Sequence, residues 1–450
     1  MSDTIALVAL TGTDLDAYLA TRSERTRRWV ASQHFRAQPL THCIVPNDEG
    51  GISEVLVGVV NSTDVNTLAH LPLMLPPGDY VLADRGLALD AARVALGFAL
   101  GSYQFARYKK PRRDPARLMA PLGHYLDEVA ALAAATARTR DLVNTPTEHM
   151  GPADLGEVTR AIATRFGANY REWIGNELLD ANFPAIHAVG RASHRAPRLL
   201  ELLAGDPTHP EVAIIGKGVC FDTGGLDIKA ADGMRHMKKD MGGAAHAIAL
   251  AELVLERRLP IRLRLLIPAI ENAISANAYR PGEVICTRSG LTVEIDNTDA
   301  EGRVILCDAL SYAAESKPAL MIDFATLTGA ARIALGPDLP ALFGNDDVLR
   351  DQLAAISREV QDPLWPMPLW QPYLTMLESG IADLANSSAS RHAGAITAAL
   401  YLQRFVASTI PWLHLDTYAW NDSERPGRPR GGEAMGLRAV YELLKRRYAG

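Results

Sequence analysis

The sequence predicts an α/β protein of two unequal parts: a smaller N-terminal α/β domain and a C-terminal domain with a central mixed, mostly parallel sheet flanked by helices. The length, 450 residues, exceeds one ordinary domain. A charged, Pro-containing break, KKPRRDPAR at residues 109–117, interrupts the chain. Beyond Gly151, apolar runs alternate with helical patterns, the rhythm of strand–helix–strand units.

Each element follows from its pattern. CIVPN and EVLVGVV are β-rich runs, and LDAARVALGFALGSYQFARY has helical spacing. After the break, a helical pattern runs from Pro121 to Leu142. It stops in NTPTEHMGP, where Asn144, Pro146, Gly151 and Pro152 cannot continue a helix. The expected boundaries are therefore 1–118 for the N-terminal domain, 119–150 for a linking helix and 151–450 for the C-terminal domain. In the last, EVAIIG, IRLRLLIPAI, VEI, ALMIDFATLTG and WLHLD read as strands. GGAAHAIALAELVLERR and RVILCDALSYAAES read as helices. Ligands of such sheets lie beyond the carboxyl ends of the strands, so chemistry is sought just after each apolar run.

Composition narrows the function classes. Apolar residues make up 48% and charged residues 22%, which excludes a disordered or fibrous chain. The net charge of −6 argues against a nucleic-acid surface covering the molecule. KKPRR and the KRR near the C-terminus read as a solvated linker and tail. Cys43, Cys220, Cys286 and Cys307 form no CxxC pair, which fits a reducing cytosol and a cytoplasmic location. No apolar run is long enough to span a membrane, and the start, with Asp3 and Asp14, lacks a basic signal-peptide region.

The richest stretch follows EVAIIG. GKGVCFDTGGLDIKAADGMRHMKKDMGGAA sets Lys217, Asp222, Lys229 and Asp240 among glycines. After VEI comes DNTDAEGR, with Asp296, Asp299, Glu301 and Arg303. Divalent metals bind carboxylate oxygens, and Asp222, Asp240, Asp299 and Glu301 carry enough charge to neutralise two such ions. Two ions about 3.5–4 Å apart can clamp a water and polarise a carbonyl. The same acids also read as solvated or lysine-paired groups, so the charge count permits a site without requiring one. Lys217 reads as a surface lysine or as a neutral ligand, deprotonated by nearby cations. Lys229 and Arg303 read as salt-bridge partners of these acids, or as contacts to a substrate oxygen and an anion. GxxxxGK[ST], HExxH and GxSxG are absent. His236 and His246 read as packing residues, and Cys220 and Cys307 as core.

GKGVCFDTGGLDIK, MKKDMGGAA, NTDAEGR and ATLTGA resemble the leucyl (cytosol) aminopeptidase family over roughly residues 140–440. NTP at 144–146, LWPMPL at 364–369, ADLAN at 382–386 and WLHLD at 412–416 extend the resemblance. It implies a metal-dependent aminopeptidase that removes the N-terminal residue of short peptides through a metal-activated water. It further implies two divalent ions per subunit: zinc foremost, with manganese or cobalt as alternatives. Lys217, Asp222, Asp240 and Glu301 would hold the tighter ion, and Asp222, Asp299 and Glu301 the exchangeable one. Lys229 would meet the oxyanion, and Arg303 would bind a bicarbonate acting as general base. Met237, Thr326 and Leu327 match positions near the side-chain pocket, which Tyr418 borders. Substrates would be peptides with a free N-terminus, and the assembly a homohexamer.

Two regions depart from the family pattern. The N-terminal region is shorter than usual and matches no motif of it. After WLHLD, Thr417, Tyr418, Ala419 and Trp420 stand where small residues are usual. Tyr418 and Trp420 read either as pocket residues or as packing. The residues also admit two other readings: a two-metal phosphoesterase, opposed by the lysines and the lack of histidines, and DNA binding at the local basic patches.

Overall fold

The computed structural model of the protein describes residues 4–119 and 123–449. Asp3, and Pro121 at the expected start of the linking helix, lie outside them. Among the described residues no helix is long and apolar enough to cross a membrane. The chain forms two compact units. One runs to Ala137 and includes Ser423–Arg430; the other comprises Arg138–Asp422 and Gly431–Gly450. The division falls inside helix Leu126–Asn144, within the segment that the sequence assigns to the link.

The smaller unit is built on five strands: β1 (Ile5–Leu10), β2 (His42–Pro46), β3 (Ile52–Gly58), β4 (Asp79–Leu82) and β5 (Arg117–Leu118). Their order is β2-β3-β1-β4-β5, and only the β2–β3 pair is antiparallel. The expected strands CIVPN and EVLVGVV are β2 and β3. The expected helix begins at Ala91, where the Asp90 side chain caps the backbone N–H of Arg93. It ends at Gly101, short of the Tyr108 to which its spacing pointed.

The larger unit carries the remaining strands in chain order: β6 (Asn169–Ile174), β7 (Arg198–Ala204), β8 (Glu211–Gly216), β9 (Gly218–Asp222), β10 (Arg262–Asn272), β11 (Val284–Cys286), β12 (Thr292–Glu294), β13 (Leu320–Ala325), β14 (Ala341–Gly344), β15 (Trp365–Pro366), β16 (Leu384–Ala385), β17 (Trp412–Asp416), β18 (Trp420–Asn421) and β19 (Gly431–Gly432). Its main sheet runs β15-β14-β17-β13-β8-β10-β7-β6, with β9 also on β10. The centre, β17-β13-β8-β10, is parallel, and the strands turn antiparallel at β14–β17 and β10–β7. This is the mixed, mostly parallel sheet that the sequence predicts.

Strand alternation places helices on both faces. Ala213 and Ile215 of β8 share a core cluster with Val304, Ile305 and Leu306 of helix Glu301–Glu315. Val212, Ile214 and Gly216 point the other way, where a Cβ on Gly216 would lie 2.6 Å from Cα of Ala244 in helix Gly242–Glu256. Both helices therefore start at the carboxyl edge of the same strand.

That edge contains a break. β8 pairs with Arg262–Leu266 of β10 and β9 with its later residues from Ala269, so Ile267 and Pro268 stand opposite the interruption. Pro268 has no N–H to continue a ladder. Lys217 occupies the break. Its N–H donates to Phe324 O of β13 (3.0 Å), and its C=O accepts from Ala244 N (2.8 Å). Gly243 permits this approach, since a Cβ there would sit 2.2 Å from Phe324 O. The backbone of Lys217 is thus fixed by a neighbouring strand and by a helix N-terminus.

Candidate active site

Each chemical side chain occupies the end of an element. Asp222 closes β9, Asp240 lies in the turn Met237–Met241 ahead of helix Gly242–Glu256, and Glu301 opens helix Glu301–Glu315 with Asp299 just before it. An acid at a helix N-terminus is favoured by the helix dipole. Thr326 follows β13, and Lys229 lies on the loop after β9.

The lysines tie these acids together. Lys217 Nζ lies 2.8 Å from Asp240 Oδ2 and 2.8 Å from Glu301 Oε1, and it donates to Thr326 O (2.8 Å). Lys229 Nζ lies 2.8 Å from Asp222 Oδ2 and in close contact with Asp299 Oδ1. Asp227 does not hold Lys229: its carboxylate accepts from Thr298 N (2.8 Å). Gly302 clears the path of Lys217, since a Cβ there would lie 2.4 Å from Lys217 Cε.

Burial opposes the charge on Lys217, but attraction from Asp240, Glu301 and Asp222 outweighs it and holds the ammonium protonated. Lys229 is held likewise by Asp222, Glu301 and Asp299. The neutral Lys217 expected from the sequence therefore requires bound cations; the acids alone do the opposite. Burial, then repulsion from Asp222, raises Glu301 well above the usual carboxylate range and pushes Asp299 up to about 6. Asp240 is buried too, yet Lys217 and Lys239 hold it low. Burial pushes Lys239 down to about 8.

This set fits metal ions. Oxygens of Asp222, Asp299 and Glu301 lie within 4.8 Å of one another. Asp240 Oδ2, Asp299 Oδ1 and Glu301 Oε1 are buried and touch an ammonium, yet none accepts a well-directed hydrogen bond. Four carboxylates against the two contacting ammoniums leave an excess of negative charge at the floor of the cleft.

Eleven of the residues singled out from the sequence line one cleft of about 560 Å³: Lys217, Asp222, Lys229, Met237, Asp240, Asp299, Glu301, Arg303, Thr326, Leu327 and Tyr418; Asp296 does not. Trp420 does not line it. It is buried, with its ring 5.1 Å from that of His236. His246 packs as expected, bonded to Gly242 O (2.6 Å) and Met435 N (2.8 Å).

The sequence reading assigned no role to the amides that orient the cluster. Asn272, the last residue of β10, donates to Asp222 Oδ1 (2.8 Å) and Thr298 O (3.0 Å). The strand-end rule applied to β10 would have found it. Asn386, in the quoted ADLAN, accepts from Asp296 N (2.9 Å) and Asn297 N (3.2 Å) and so clamps the DNTDAEGR loop. Its backbone carbonyl accepts from Arg303 Nη1 (2.8 Å), while Arg303 Nε is buried with no hydrogen-bond partner among the described residues.

Residues 137–441 match the model of the cytosol aminopeptidase family, catalytic domain. The chain belongs to the cytosol aminopeptidase family. Residues 5–121 match the N-terminal domain of M17 aminopeptidases, so the region in which the sequence reading found no family motif belongs to it as well. The chain is 41% identical to a probable cytosol aminopeptidase of Roseiflexus castenholzii over 81% of this chain and 78% of the relative. Among solved structures, the cytosol aminopeptidase of Coxiella burnetii superposes with a TM-score of 0.96 at 48% identity, covering 100% of this chain and 98% of that one. The bottromycin maturation enzyme BotP in complex with Mn superposes at 0.89 with 33% identity, covering 99% and 100%. The family assignment makes the protein a metal-dependent aminopeptidase and selects a peptidase over the phosphoesterase reading.

The packing of Lys217 over Gly302 yields a direct test. Gly302→Ala should displace the Lys217 ammonium, because the blocking contact is with a movable side chain rather than with backbone. Aminopeptidase activity should fall on the order of 10-fold or more, and the thermal midpoint should fall as well, because displacing the ammonium unpairs buried charges. Activity assays beside thermal denaturation check this.

Proposed function

We propose that this cleft hydrolyses the bond after the free N-terminal residue of short peptides, using two divalent metal ions. The observation that carries the reading is the set of four carboxylates, three buried and Asp299 half-buried, interleaved with Lys217 and Lys229. Lys217, Asp222, Asp240 and Glu301 would hold one ion, and Asp222, Asp299 and Glu301 the other. Zinc is the first candidate; manganese or cobalt are alternatives, and the relative BotP carries Mn. When bound, the metals supply Lewis acidity that polarises a carbonyl and acidifies a water.

The chain's own residues do the rest. Lys217 can act as a ligand only by giving up the proton that Asp240 and Glu301 hold on it, so loading releases a proton there. Lys229 now bridges Asp222 and Asp299; once these acids turn to an ion, its ammonium is free for the substrate's carbonyl oxygen. That contact strengthens as negative charge develops, which lowers the barrier rather than merely tightening binding. Arg303, with its buried unpartnered Nε, suits a small anion, and bicarbonate as general base fits there. The homohexamer and the cytoplasmic location complete the proposal. Exposed Trp365, Trp370 and Ile381 support a subunit contact, and the relatives' name supports the location.

Chelation should abolish release of N-terminal residues, and added manganese or zinc should restore it. Acetylating the peptide's α-amine should stop cleavage. Full activity after metal removal, or rapid cleavage of acetylated peptides, would reject the reading.

Lys229 and Asp240 should fail differently. Lys229→Ala should keep its metals but lose turnover by about 10²–10³-fold, as a lost oxyanion donor does. Asp240→Ala should lose metal. Elemental analysis beside steady-state kinetics separates them.

A further inference from the structure

One end of the cleft carries cations that the metal cluster does not use. Lys239 is only 6% exposed and lines the cleft. Its ammonium lies 4.9 Å from the centroid of the Tyr418 ring, and the guanidinium carbon of Arg332 lies 4.7 Å from the same centroid. Among the described residues, neither cation has a carboxylate at ion-pair distance. The acids nearby are engaged elsewhere: Asp240 and Glu301 on Lys217, and Asp222 and Asp299 on Lys229. Asp416 accepts from Leu327 N (2.9 Å), Thr328 N (3.2 Å) and Thr328 Oγ1 (2.6 Å). Asp422 faces the Tyr418 hydroxyl at 3.4 Å.

A buried cation with no carboxylate at contact distance is costly, and a lysine in that position is ill suited to a pocket for an aliphatic side chain. We propose that this end of the cleft receives an acidic side chain, aspartate or glutamate, on the first residue of the peptide, with Lys239 and Arg332 recognising its carboxylate. The inference rests on the aminopeptidase reading and names its substrate class. Lys239 meets the carboxylate from within, and Arg332, exposed on helix Gly329–Leu335, meets it from the mouth. Both cations lie against the Tyr418 ring, which keeps them at the same end of the cleft.

Kinetics of the manganese-loaded, full-length protein on X-Leu-Ala-amide peptides, with X glutamate, glutamine, leucine or lysine, test this. The amide removes the peptide's terminal carboxylate as a competing anion. The value of kcat/KM for glutamate should exceed that for isosteric glutamine by about 10-fold or more, and lysine should be poorest. Arg332→Glu, at an exposed position where folding is not at stake, should cut the glutamate-to-glutamine ratio by about 10-fold and raise cleavage of the lysine peptide. Lys239→Met, which keeps the stem volume, should also cut the ratio. A wild-type ratio at or below one, or a ratio that neither variant moves, overturns the inference. Absence of turnover on all four peptides is a different result: it overturns the aminopeptidase reading and this inference with it.

Discussion

A lysine buried at a break in a central strand organises the catalytic unit. Lys217 is held through its backbone by β13 and by helix Gly242–Glu256, and through its ammonium by Asp240 and Glu301. Removing water from these charges costs several kcal/mol for each ion, so the group persists only if every member is paired. That requirement fixes the turn that brings Asp240 inward and the start of the helix that carries Glu301. It also explains why glycine stands at positions 243 and 302, where a Cβ would strike Phe324 O or the Lys217 side chain.

The same electrostatics link the resting cluster to its use. Without cations, the two lysines neutralise part of the acid cluster and are themselves held protonated. Asp299 and Glu301, pushed upward by burial and by Asp222, mark where negative charge is in excess. Under the proposed function these acids would hold the divalent ions; Lys217 would then act as a ligand after losing its proton, and the Lys229 ammonium would be free to face the substrate.

Much of this was legible in the sequence because it rests on local pattern. The strand ends EVAIIG and VEI led directly to GKG-x3-D and NTDAEGR, and Lys217, Asp222, Lys229, Asp240, Asp299, Glu301 and Arg303 from these stretches share one cleft, to which the resemblance added Met237, Thr326, Leu327 and Tyr418. Long-range amides were not legible. Nothing local marks Asn386 as the clamp on residues 296 and 297, since its partners lie about ninety residues away. Nothing local marks Lys239 within MKKDMGGAA; only the fold shows it buried against Tyr418. Trp420 could not be separated from Tyr418 by spacing, and packing against His236 decides it. The division between units lies within continuous helical periodicity, which carries no mark at Ala137.

The central claim is that the lysine–carboxylate cluster exchanges its ammonium contacts for two metal ions. Anomalous scattering from crystals of the manganese-loaded protein tests it most directly. The account predicts two peaks per chain, flanked by Asp222 and Glu301, with Lys217 Nζ within about 2.0–2.3 Å of one of them. A single peak, or Lys217 Nζ still resting on Asp240 and Glu301 with no ion in contact, would contradict it.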